Sequence, residues 1–88
     1  MATLIKTDGS EKEVYPKDKK NGFTLKEVYD LIGCSMVEIA CRFFDGKMML
    51  VDEEGLFKQN PVFNTKATLL MGSDIVGNAL IVTEEEFQ

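Results

Sequence analysis

The stretch FTLKEVYDLIG, residues 23–33, restricts the fold more than any other part of the chain. Thr24 stands where an N-cap hydroxyl accepts from the backbone of the first turn, and Glu27, three residues on, completes a capping box. Phe23 and Val28 have the spacing of a hydrophobic staple. Leu25, Val28, Tyr29 and Ile32 recur at i, i+3, i+4 and i+7, one apolar stripe along a helix. Gly33 supplies the left-handed residue on which such helices end. A helix over residues 25–32 therefore has one face to bury, and the flanking segments must supply the surface that buries it.

On both sides of that helix the apolar period shortens to two. TLIKTDGSEKEVYP holds two short strand-like runs around Asp8-Gly9-Ser10. Asp-Gly signals a two-residue type I′ hairpin, because both central residues of that turn take positive φ. Pro16 ends the second run, having no N–H for a ladder, and Lys17 to Gly22 form a polar loop. After the helix, Val37, Ile39, Cys41 and Phe43 alternate with Met36, Glu38, Ala40 and Arg42. That is a strand with one buried face, expected against the helix. Asp45-Gly46 makes a second hairpin, with Lys47 to Asp52 as the partner strand. LFKQNPVFN reads as a loop broken at Asn60-Pro61. Asn64 caps a short helix, TKATLLM, which Gly72 stops. A closing strand is expected from about Ile75 to Val82, with a bulge or close approach at Gly77, followed by an acidic tail over residues 83–88. The order is ββαββαβ. The expected fold is α+β, an antiparallel sheet of about four or five strands with one main helix and one short helix, in a single domain spanning residues 1–88.

Charge and residue types exclude several functions. Residues 1–26 hold six lysines against four acids, and residues 27–88 hold four basic residues against eleven acids. An acidic body does not neutralise phosphates, so direct nucleic-acid binding is not expected. No apolar run approaches the roughly 18–20 residues that span a bilayer, and MATLIKTDGS lacks a signal-peptide pattern, so a cytoplasmic protein without membrane contact is expected. The chain has no histidine, which removes Ser-His-Asp and Cys-His catalysis and the commonest zinc ligand. No phosphate-binding glycine pattern occurs, and DEEG fails the calcium-loop spacing. No catalytic residue, metal or cofactor is expected. Cys34 and Cys41 read as two thiols packed as small hydrophobes.

VDEEG, residues 51–55, sets three carboxylates, Asp52, Glu53 and Glu54, before a glycine. Adjacent carboxylates at a strand end diverge, whereas two working acids normally come from separate elements. The segment reads as a solvated turn leaving a strand, with Gly55 accepting the positive φ of the reversal.

Taken together, LIG…VDEEG…NTKAT…IVGNALIV resembles a family of small phage- and plasmid-borne proteins classed as a domain of unknown function. The resemblance lies in Ile32 and Gly33; in Asp52, Glu53 and Gly55; in Asn64, Ala67 and Thr68; and in Ile75, Gly77 and Val82. It covers about residues 24–82 and departs at Cys34-Ser35, where a second glycine and an aromatic residue are common. The resemblance implies a virus or mobile-element setting in the cytoplasm of a bacterial host, and no established activity.

The function expected from these readings is that of a non-enzymatic binding module of phage or mobile-element type, possible in counter-defence. It would occupy a host protein or sequester a small anionic ligand. For the ligand, Asn64, Thr65, Thr68 and Asn78 are candidate pocket residues, with Lys17, Lys19 and Lys20 of KDKK supplying charge and the helix start at Asn64 supplying backbone amides. An alternative is an acidic inhibitor that imitates nucleic acid against a host DNA-binding enzyme. A homodimer is also expected. Met36, Phe44, Met48, Leu50, Phe57, Val62 and Phe63 exceed what two helices cover on one sheet. Met36, Ala40 and Phe44, with Met48 or Met49, would form an apolar patch on the face away from the main helix, the competing reading being that LFKQNPVF folds back and covers it within one chain.

Overall fold

The computed structural model describes residues 2–43, 45–55 and 62–87. Its elements follow the expected order: β1 (Ala2–Ile5), β2 (Glu11–Val14), α1 (Leu25–Ile32), β3 (Val37–Arg42), β4 (Lys47–Asp52), α2 (Thr65–Met71) and β5 (Ala79–Thr83). The strands form one five-stranded sheet in the order β2-β1-β5-β4-β3, with every pairing antiparallel. The two hairpins occupy the two sides, and β5 enters between them. The expected loop break at Asn60-Pro61 lies outside the described residues.

Both helices are fixed locally as the sequence dictates. Thr24 Oγ1 accepts from the Glu27 N–H (3.1 Å), and Glu27 Oε1 accepts from the Thr24 N–H (3.1 Å), closing the capping box. Gly33, at φ 81°, ends α1 by donating to the Tyr29 carbonyl. Asn64 caps α2, and Gly72, at φ 88°, ends it. The helices are eight and seven residues long.

Each helix covers a different face of the sheet. Strand alternation sends Ala2, Leu4, Met48, Leu50, Leu80 and Val82 to one face, where they pack with Val28 and Ile32 of α1. Ile5, Met49, Val51 and Ala79 point the other way and pack with Ala67 of α2. Side chains of the inner strands are thus buried on both faces, about 1.5–3 kcal/mol for each large aliphatic group fully removed from water. Within α1, Val28, Ile32 and the partly buried Leu31 meet the sheet, while Leu25 in the first turn is 48% exposed. The buried stripe is therefore shorter than the period suggested.

Three strand-level expectations are corrected. Asp8-Gly9 is not a two-residue type I′ turn. The Lys6 N–H donates to Ser10 O (2.9 Å) and the Gly9 N–H to Lys6 O (3.0 Å), giving a longer loop with Gly9 alone supplying the left-handed glycine, at φ 89°. Phe43, Gly46 and Lys47 repeat the same bonding in the second hairpin. Next, β3 does not present Val37, Ile39, Cys41 and Phe43 to α1. A bulge between Ile39 and Cys41 sets two residues against one on β4. Val37 stays on the α1 side, whereas Ala40, Cys41 and Phe43 pack on the α2 side. Finally, β5 begins at Ala79, not Ile75. Gly77 takes φ 80°, and the segment before it pairs with residues 62–64 through the Phe63–Val76 bridge instead of joining the sheet.

The apolar patch expected to drive dimerisation is also corrected. Met48 and Leu50 are buried under α1 and Met49 under α2, all within one chain. Phe44 and Phe57 lie outside the described residues. The large apolar side chains left exposed include Val62, Phe63 and Leu70, with Leu69 at 80%. Cys34 and Cys41 are half-buried on opposite sides of the sheet and are not bridged.

Candidate functional site: an acidic cleft beside the edge strand

Asn64 is the one buried polar side chain among the described residues and is fully enclosed. Its Oδ1 accepts from the Ala67 N–H (3.0 Å), which is the helix cap. Its Nδ2 donates to Ile5 O (3.0 Å) and Gly77 O (2.9 Å). One amide therefore joins the start of α2, the end of β1 and the turn before β5, and both of its N–H groups are used. Thr68 Oγ1 accepts from the Ile75 N–H (2.9 Å), tying the same turn to the middle of α2. Asn78 Oδ1 accepts from the Thr7 N–H (3.3 Å), and its Nδ2 reaches the last-turn carbonyl of Leu31 (3.5 Å). Thr65 is exposed at the start of α2.

The lysines stand elsewhere. Lys19 and Lys20 border a cavity of about 550 Å³ together with Glu85 and Glu86, while Lys17 borders another of about 460 Å³ with Glu27 and Asp30. Neither cavity includes Asn64, Thr65, Thr68 or Asn78 in its lining. The loop itself is shaped by acids. Asp18 accepts from the Asn21 side chain and from the backbone of Asn21 and Lys20, which holds its carboxyl below the usual range. Glu27 is lowered likewise by the Thr24 N–H first and then by the Lys17 N–H. Positive charge at KDKK is thus interleaved with carboxylates, and the structure does not bring it to the Asn64 junction.

A different site emerges between β3, the end of β4 and the exit of α2, where a cleft of about 490 Å³ opens. Its floor is apolar, built from Ala40, Val51, Met71, Ile75 and Val76; Ile39 borders it too, but lies opposite Leu50 and projects to the α1 side. Its charged lining consists of Glu38, Asp52, Glu53 and Asp74, and no lysine or arginine is among the described lining residues. The acid turn forms one wall. Asp52 Oδ1 accepts from the Glu54 N–H (2.9 Å), and the Glu53 N–H donates to Met36 O (3.0 Å), pinning the turn against the chain entering β3. Gly55 is not among the glycines with positive φ, which corrects the reason given for it. A Cβ there would sit 3.3 Å from the Val76 side chain and carbonyl, so close packing on the β5 approach explains the glycine. No group of three or more Cys, Asp or Glu side chains among the described residues is placed to hold a metal ion.

The sequence singled out Asp52, Glu53, Gly55 and Ile75 but did not join them with Glu38, Met71 and Asp74. The available signal was the acid excess of residues 27–88. The missing knowledge was which face α2 covers, since that choice sets the exit of α2 against β3.

These observations define a small antiparallel α+β domain, its sheet covered by one helix on each face and its open cleft acidic. Over residues 1–88 the chain matches the family described as Domain of unknown function (DUF3846), and it belongs to that family. No curated protein and no solved structure matches it. Among the described residues, no helix is long and apolar enough to cross a membrane.

Proposed function

We propose that this chain is a non-enzymatic binding module, acting in a bacterial host as part of a phage or mobile element, and that its partner is a protein held at the cleft between β3 and the exit of α2. The carrying observation is that this cleft pairs an apolar floor, partly exposed at Ala40 and Met71, with charged groups that are all acidic among the described lining residues. Apolar area supplies affinity, and a uniform rim selects partners by charge. The small anionic ligand ranks below this. Asn64 and Thr68 spend their polar atoms inside the fold, and the lysines of KDKK lie among acids. Imitation of nucleic acid stays the second reading, favoured by the same four carboxylates. Association of two copies is retained in the proposal, now through the exposed Val62, Phe63, Leu69 and Leu70 around α2.

The test is affinity purification from host lysate with wild type, Met71→Lys and, as a control on exposed α1, Leu25→Lys. The recovered partner is then purified and its affinity measured by calorimetry. Binding by wild type and Leu25→Lys but not Met71→Lys supports the cleft. Equal binding by all three overturns it, and a DNA-processing enzyme displaced by duplex DNA favours the second reading.

A further inference from the structure

Resting on that reading of the cleft as a protein-binding surface, we infer the chemistry of what enters it: a segment of the partner that presents an apolar side chain between lysine or arginine residues. Charge and floor both point there. Glu38, Asp52, Glu53 and Asp74 come from three separate stretches of chain, and no described lining residue opposes their sign. The cavity bordered by Lys19 and Lys20 and the one bordered by Lys17 both mix lysine with acids and select no sign. Carboxylates that share a partly closed space with low-dielectric walls reinforce one another's potential, so a cation entering there is attracted more strongly than at a flat surface.

The floor asks for more than charge. Ala40 and Met71 are only partly buried, so an apolar side chain has a place to lose water. A small polycation satisfies the rim and leaves this floor uncovered. The lining is shared by β3, the end of β4 and the exit of α2, so the segment lies over the α2 face of the sheet and is selected by its side chains.

The experiment uses the full chain and two fluorescein-labelled peptides, one alternating lysine with valine and one alternating glutamate with valine. Anisotropy is read at about 50 mM and about 300 mM salt, which shortens the screening length roughly as its inverse square root. The lysine peptide is expected to bind about tenfold or more tightly than the glutamate peptide and to weaken at the higher salt. Glu53→Gln with Asp74→Asn, both at exposed positions, is expected to remove most of that preference while leaving the thermal melt unchanged. Amide shifts are expected in residues 37–40 and 73–76. Equal binding of the two peptides, shifts confined to another surface, or displacement of the lysine peptide by spermidine at equal concentration would overturn the inference. A partner that is lost with Met71→Lys yet indifferent to the Glu53 and Asp74 changes also overturns it, while the protein-binding function stands.

Discussion

Replacing Asn64 by aspartate separates two tasks that one side chain performs. The Oδ1 atom caps α2 through the Ala67 N–H, and the Nδ2 atom donates to Ile5 O and Gly77 O. Asparagine and aspartate are equally good caps, so the exchange preserves the first task. It destroys the second, because a carboxylate oxygen then faces two carbonyls in a fully enclosed place. Asn64→Ala loses the cap, about 1 kcal/mol, and two hydrogen bonds of about 1 kcal/mol each, giving roughly 3 kcal/mol. Asn64→Asp should cost at least as much, since desolvating the charge outweighs the retained cap. For a domain whose total stability is of order 5–15 kcal/mol, that is a large fraction. It corresponds to a melting temperature lower by about 12–24 °C. Denaturant titration of both variants at neutral pH, with a shared slope as the check on two-state behaviour, reads the difference. A loss for Asn64→Asp of about 1 kcal/mol or less would refute the three-way junction as an account of this residue.

Thr24→Ala removes the α1 cap and should cost about 1 kcal/mol in the same titration, with an unchanged slope. Glu27 is held below its ordinary value of 4.5 in the folded chain by the N–H groups of Thr24 and Lys17. A depressed folded value means stability that is present above 4.5 and lost as pH falls through the lower folded value, so the gap between wild type and Glu27→Gln should close on acidification through that window; a gap constant in pH counts against it. Glu53→Gln with Glu54→Gln should leave the melt intact, and added Mg²⁺ or Ca²⁺ should not raise it; a metal-dependent rise abolished by the double change would make the turn an ion site. Light scattering at micromolar concentration should give about twice the 9.9 kDa of one chain, falling to 9.9 kDa with Leu69→Glu and Leu70→Glu. A wild-type mass of 9.9 kDa would refute the dimer.

Signals confined to a few adjacent residues were legible from sequence. Both caps, both helix stops and both hairpin positions arise from bonds spanning three or four residues, and the side chains that make them are the ones named. What failed was anything decided across the sheet. Cys41 and Phe43 alternate correctly whichever face they take, so one extra residue at Ala40 reverses them without changing the pattern. Ile75 and Val76 look like strand residues because they are apolar, but their backbone pairs with the approach to α2 and not with the sheet. The candidate site depends most on such contacts. Polar side chains at Asn64, Thr68 and Asn78 suggested a ligand, whereas backbone groups distant in sequence consume them. The cleft acids were counted in the total charge, but their assembly depends on which face α2 covers.

The place of β5 has a consequence for the order in which this chain matures. It is the last described strand in sequence, yet it stands in the middle of the sheet, pairing with β1 on one side and β4 on the other. Until it is synthesised, the β1–β2 and β3–β4 hairpins share no strand pairing, and each shows a raw inner edge lined with apolar side chains. Contacts of the longest sequence separation must therefore form last and all together, which favours slow closure over stepwise growth. A nascent chain stalled before Ala79 is two unjoined halves with sticky borders, a species that self-associates or is degraded. The arrangement makes the arrival of β5 the event that commits the molecule, and damage within residues 79–83 should reduce yield in cells more than its share of the buried area suggests.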